Sequence, residues 1–257
     1  MTVSLGAFDV TWLGYACARV SGSDDTVVYV DPGRYGTLDD TWNERYGPDD
    51  HPDGRDYRRK DADVVLVTHD HHYDDDGVRR VSNEDTTVVV YESVDAERVS
   101  EGGRDVVSPE ELPYEVRRVA TGETLTVAGV DVDVVPAYND PEGPRASADG
   151  SVPHPEGFGC GFRFVVDGRA CFWPGDSDFV PEHETVDTSV LLPSIAQSYT
   201  MTRHGAAELA ETLRPELVVP IHYNTFPELR ADADAFAVDV ANRGIPVALD
   251  ERGPDGT

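Results

Sequence analysis

The sequence predicts an α+β or layered α/β domain, built as two β-sheets faced by helices. Three observations carry that prediction. Short β-branched apolar runs outnumber segments with helical spacing, and those helical segments fall late in each half. Turn chemistry rich in Gly, Asp and Ser separates the runs. Neither an internal repeat nor a dividing linker breaks the 257 residues, so 1–257 is read as one domain, long enough to bury a substantial core.

The elements follow in order. Phe8–Leu13, Cys17–Val20 and Val27–Val30 read as strands, the last ending in Asp31-Pro32-Gly33. Residues 33–61 are polar and aperiodic, an extended surface loop with a short helix near Trp42. Val64–Val67 is a continuous apolar strand, and a short helix starts in the acidic run after it, because Asp near a helix N-terminus satisfies free N–H groups. Strands continue at Val88–Val90, Glu115–Val119, Thr124–Val127 and Val130–Val135. Residues 138–157 form a second polar loop with four prolines and His154. Phe162–Val166 and Ala170–Trp173 make a hairpin about Asp167-Gly168. Strand Val190–Leu192 precedes a helix marked by Ala206, Leu209, Ala210 and Leu213 and stopped by Pro215. Strand Leu217–Ile221 leads to His222, and a last helix runs from Pro227 to Gly244.

Composition excludes several classes of function. Fifty acidic against 21 basic side chains give a formal charge of −29, which disfavours a broad nucleic-acid or anionic-membrane surface. The hydrophobic fraction, 39%, is low but gathered into strands, so the chain is globular rather than disordered. No run approaches the roughly 18 apolar residues of a membrane helix. Asp9 interrupts the first apolar run and the first basic residue is Arg19, so no secretory pattern is seen and a cytoplasmic location is expected. Cys17, Cys160 and Cys171 are odd in number and widely spaced, as buried reduced thiols would be. The acids are dispersed and Lys60 is the only lysine, a composition resembling the cytoplasmic proteins of extreme halophiles. The expected partner is a small-molecule substrate; oligomeric state is not legible.

The chemistry gathers where strands end. His69 and His71 follow Val64–Val67, Asp176 follows Phe172–Gly175, His222 follows Val218–Ile221, and Asp74 and His154 lie on loops beside such ends. Ligands distant in sequence can converge at one rim of a sheet while rigid strands hold them. Imidazole and carboxylate together suit divalent zinc, manganese or iron. Residues two apart in an extended segment face the same way, which gives His69 and His71 access to one ion. His51, His183 and His204 read as solvated. Gly157–Gly161 is superficially like a phosphate-binding loop, but it precedes a strand rather than a helix.

These residues resemble the metallo-β-lactamase superfamily, and within it the small metal-dependent hydrolases that include ascorbate-6-phosphate lactonases. Trp12-Leu13-Gly14-Tyr15-Ala16 with Val30-Asp31-Pro32 is similar to the opening hairpin. Thr68-His69-Asp70-His71 is similar to the H-x-H-x-D-H loop. Pro136–Asn139 with His154–Gly159 resembles the segment carrying the third histidine, and Pro174-Gly175-Asp176-Ser177-Asp178 the segment carrying the bridging aspartate. Tyr199-Thr200-Met201 and Pro220–Asn224 resemble the closing motifs. The resemblance implies a four-layer αβ/βα sandwich with one or two divalent ions, zinc first and manganese or iron as alternatives. His69, His71 and His154 would hold one ion; a loop carboxylate, His222 and a bridging Asp176 would hold the other. It implies a hydrolase in which metal-bound hydroxide cleaves a small ester, lactone or phosphodiester, with the loop carboxylate orienting or accepting a proton and Tyr199 or Asn224 meeting substrate.

The chain departs from that pattern after His71. It reads His72-Tyr73-Asp74-Asp75-Asp76, and no histidine stands at the expected place. Asp74 is taken as the loop ligand and catalytic carboxylate, with Asp75 and His72 as alternatives. The second ion site is then rich in oxygen, which favours a harder ion or weakens the site. Tyr15, where relatives often carry histidine, is a smaller departure. A non-catalytic metal-binding protein on the same scaffold is the competing reading, and a nuclease a third.

Overall fold

A computed structural model describes residues 2–39, 41 and 56–249. The first sheet orders its strands as they occur: β1 (Thr2–Leu5), β2 (Phe8–Gly14), β3 (Cys17–Ser21), β4 (Val27–Val30), β5 (Ala62–Val67), β6 (Ser82–Tyr91) and β7 (Glu115–Val119). β1–β4 form an antiparallel meander, and β4–β7 run parallel. Helices α1 (Asp75–Val81) and α2 (Ala96–Glu101) lie in the parallel crossovers.

The second sheet repeats the plan. β8 (Thr124–Val127), β9 (Val130–Ala137), β10 (Gly159–Val166) and β11 (Arg169–Trp173) are antiparallel, and β12 (Val190–Leu191) and β13 (Leu217–Val218) add in parallel. Helix α3 (Arg203–Leu213) joins β12 to β13 and packs on α4 (Ala233–Ala241). The two sheets share one core, which includes Trp12, Val28 and Leu66 of the first and Phe162, Phe172 and Trp173 of the second. Strands β4 and β5 are buried almost throughout, which is why their sequences are continuous apolar runs rather than alternating ones.

Several expectations are met closely and a few are corrected. The strands Val27–Val30, Glu115–Val119 and Thr124–Val127 fall as expected. β1 is additional: its pattern alternates between exposed and half-buried, too weak a signal in four residues. The last helix opens at Ala233 instead of Pro227, because the Asp232 carboxylate accepts from the Ala235 N–H and caps it there. Pro227–Leu229 is a separate 3₁₀ turn. The helix expected near Trp42, and His51, lie outside the described residues. All three cysteines are buried and unpaired with one another.

Candidate metal centre

The site lies where the parallel strands of both sheets end. His69 stands two residues beyond β5, Asp176 three beyond β11 and His222 four beyond β13. β10 runs antiparallel to β11, so His154, before β10, reaches the same rim. Two glycines allow the approach. Gly175 has φ +69, and a Cβ there would lie 2.4 Å from the Cys160 carbonyl oxygen; a Cβ on Gly159 would lie 2.9 Å from that of His69. His222 is itself left-handed at φ +57, held by its N–H to the Tyr15 carbonyl at 3.0 Å.

Asp176 is the hub. Its Oδ2 lies 3.7 Å from His69 Nε2 and 3.4 Å from His154 Nε2. Its Oδ1 lies 3.3 Å from His222 Nε2 and 3.5 Å from His72 Nε2. His71 Nδ1 approaches His154 Nε2 to 3.1 Å, and His72 Nε2 approaches His222 Nε2 equally closely at 3.1 Å. The structure thus brings together His69, His71, His154, Asp176 and His222, and it adds His72.

Asp74 is placed elsewhere, which corrects the reading of it as loop ligand and catalytic carboxylate. It is the N-cap of α1: one oxygen accepts from the Gly77 N–H at 3.0 Å and the other from the Arg34 N–H at 2.6 Å. Asp75 opens the first turn of α1 and faces Arg79 at 3.5 Å. The cause is the backbone. Past β5 the chain is a tight turn, not an extension of the strand, with the His72 and Tyr73 N–H groups both donating to the His69 carbonyl at 3.1 Å. Residues three apart are thereby superposed, and the His72 ring comes within 4.2 Å of the His69 ring. His71 still reaches the cluster, through Nδ1.

The hydrogen bonds around the rings fix which nitrogen faces inward. The Thr68 hydroxyl donates to Asp31 Oδ2 at 2.8 Å and therefore accepts from His69 Nδ1–H at 2.9 Å. His72 Nδ1–H donates to the same Asp31 oxygen at 2.9 Å. His154 Nδ1–H donates to the Tyr199 carbonyl at 3.2 Å, while Asn139 Oδ1 accepts the His154 main-chain N–H at 3.0 Å. In each case the unprotonated Nε2 points to Asp176. Burial holds His69 well below the usual imidazole range, its neighbour His72 adding to the effect. Burial and the adjacent His154 push His71 down to about 3, and burial also lowers His154. Burial on its own would raise Asp176, but the imidazoles of His222, His72 and His154 outweigh it and hold the carboxyl ionised.

The donor set fits divalent ions. His69 Nε2 and Asp176 Oδ1 are buried and have no hydrogen-bond partner. Nitrogens each about 2.0–2.1 Å from one tetrahedral ion lie about 3.3 Å apart, close to both nitrogen–nitrogen spacings. His69, His71 and His154 form one group able to hold an ion, and His69, His72 and Asp176 another.

The remaining expected residues separate clearly. His183 is not solvated: it is fully buried, with Nε2–H donating to the Pro136 carbonyl at 2.8 Å. His204 is on the surface beside Asp239 at 3.2 Å. Asn224 Oδ1 accepts the Ala231 N–H at 2.8 Å and so organises its own loop. Tyr199 contributes its carbonyl to His154, and the residue is 41% exposed. Asp31, read from the sequence only as part of a motif, is the buried group that orients two rings; its signal was its position at a strand end.

A family model described as a beta-lactamase superfamily domain matches residues 9–222. The chain belongs to that superfamily. A metal-dependent hydrolase of Methanopyrus kandleri is 29% identical over 248 residues, covering 93% of this β-lactamase superfamily chain and 94% of the relative. Among solved structures, a protein from Parabacteroides distasonis named as a metal-dependent hydrolase superposes with a TM-score of 0.66 at 20% identity, over 97% of each chain. CmlA, a diiron β-hydroxylase from Streptomyces venezuelae, superposes with a TM-score of 0.58 at 15% identity, over 95% of this chain and 53% of its own. The superfamily scaffold is therefore shared with proteins named for different chemistries.

Proposed function

We propose that this chain is a metal-dependent hydrolase that holds one or two divalent ions at the Asp176 cluster and cleaves a small ester, lactone or phosphodiester. The observation that carries the reading is Asp176 itself: each oxygen faces two inward-pointing imidazole nitrogens, the arrangement of a carboxylate shared by two ions. His69, His71 and His154 would hold the first ion with Asp176 Oδ2; His72 and His222 would hold the second with Oδ1. The second set is rich in nitrogen, so the argument from the sequence for a harder ion there falls away and zinc suits both sets; manganese and iron remain compatible. Bound divalent ions supply Lewis acidity and lower the pKa of coordinated water towards neutrality.

The protein residues prepare that chemistry. Burial keeps His69, His71 and His154 neutral and available as ligands. Thr68, Asp31 and the Tyr199 carbonyl hold His69, His72 and His154 in one tautomer and orientation. The competing reading of a non-catalytic metal-binding scaffold was motivated by the altered Asp74–Asp76 segment; His72, beside His222 and Asp176, supports a full ligand set despite that alteration. The dispersed acidity and single lysine support a cytoplasmic protein adapted to high salt, acting on a small molecule rather than nucleic acid.

Elemental analysis of protein purified in high salt, combined with an ester, lactone and phosphodiester panel, tests the proposal. The expected result is one or two metal equivalents and turnover that is lost on chelation and in His71→Ala. Protein without bound metal, or undiminished turnover in His71→Ala, would overturn it.

A further inference from the structure

His69, Asp176 and His222 follow closely on buried strands, and the strands hold them. His154 has no such support: it comes after a polar excursion, residues 140–153, that is exposed or half-buried throughout. A segment of that kind has many conformations open to it. Without a fastening, its imidazole would be ordered only when an ion bound.

The fastening is Asn139, which is buried. Its main-chain N–H donates to the His154 carbonyl at 2.8 Å, and its Oδ1 accepts the His154 N–H at 3.0 Å. That reciprocal pair closes the base of the excursion. The same side chain donates through Nδ2 to the Tyr199 carbonyl at 3.1 Å. This carbonyl accepts His154 Nδ1–H, and Asn139 Oδ1, 3.3 Å from Nδ1, is a second acceptor for it. The amide can face only one way, because a main-chain N–H donates and a carbonyl accepts. Asn139 is itself anchored to the segment that carries Asp176. Tyr138 N–H donates to Ser177 Oγ at 3.0 Å, Asp178 N–H to the Tyr138 carbonyl at 2.9 Å, and Asp140 N–H to Asp178 Oδ2 at 3.0 Å.

We propose that Asn139 is a positioning residue for metal binding: its amide holds His154 and the Tyr199 carbonyl as one unit, so that Nε2 faces Asp176 before any ion arrives. One planar head with an acceptor and a donor serves both partners, and alanine or leucine offers neither. The proposal rests on the metal-binding reading of the Asp176 cluster, but its test reads metal affinity and spectra rather than turnover.

The experiment titrates metal-free protein in high salt with cobalt(II) against a chelator and follows the visible absorption of the bound ion. His154→Ala is expected to lose one equivalent, which identifies it. Asn139→Ala, and Asn139→Leu, which nearly keeps the volume, should weaken that equivalent about 10- to 100-fold and alter its absorption. Added to His154→Ala, neither should change the binding that remains, because the effect passes through His154. A measurement on the unsubstituted metal-free protein needs no variant: long-range nitrogen NMR correlations should place the His154 ring proton on Nδ1. Unchanged cobalt affinity in both Asn139 variants, an equal loss in the His154→Ala background, or a ring proton on Nε2 would overturn the proposal while leaving the hydrolase reading intact. Wild-type protein that takes up no cobalt would overturn both.

Discussion

Asp31 is fully buried and meets four donors: the Thr68 N–H at 2.8 Å on one oxygen, and the Thr68 hydroxyl, His72 Nδ1 and Trp173 Nε1 on the other. It ties the two sheets together and sets the tautomer of His72. Asp31→Asn cannot accept from all of them, and an amide N–H facing His72 reverses its preferred tautomer. Metal affinity at the His72 side is expected to fall about 10- to 100-fold, measured by titration against a metal buffer; unchanged affinity would show that the orientation is set elsewhere. Asp74 behaves oppositely. As a helix cap it contributes about 1 kcal/mol, so Asp74→Ala should lower the unfolding free energy by about that amount, seen as a lower denaturant midpoint, and leave the metal equivalents unchanged. Loss of one equivalent would restore Asp74 as a ligand.

At the level of elements, the strands were readable wherever burial is complete. Val27–Val30 and Val64–Val67 announce themselves as apolar runs because both faces of those strands are covered. The ligand loop was misread for a local reason. Asp74 was chosen by reading the loop against the family pattern, but after β5 the backbone turns, which brings His72 beside His69 and leaves Asp74 to cap α1. His183 was misread because its acidic neighbours suggested solvent, yet the 3₁₀ turn Pro181–Thr185 carries it beneath β9. There burial pushes its pKa down to about 4, and Nδ1 is buried without a partner that could accept a second proton. The folded-state value is thus below the usual 6.5, and the unfolded chain binds more protons between the two values. Stability from this group is complete above about pH 6.5 and declines as pH falls towards 4, by about 3 kcal/mol in all. Urea midpoints measured from pH 7 to 4.5 should show this loss, and His183→Gln should flatten the profile; an identical slope in the variant would refute the assignment.

For the whole molecule, the charge of −29 opposes compaction, and surface ion pairs such as Arg117–Glu115 add little. At about 1 M salt the screening length is about 3 Å, short enough to silence most of the repulsion. Folded structure is accordingly expected to be lost as KCl is diluted out, followed by circular dichroism; a melt that is the same in molar and millimolar salt would count against high-salt adaptation.

The sequence by itself determined the two-sheet class, the burial of the strands and five of the six residues around Asp176, Asp176 included, because hydrophobic runs and strand-end histidines are local signals. Tertiary structure alone decided that His72, rather than Asp74 or Asp75, joins them and that Asp31 orients the rings. Those facts depend on a turn and on side chains brought together from distant strands, and no local pattern encodes such distances.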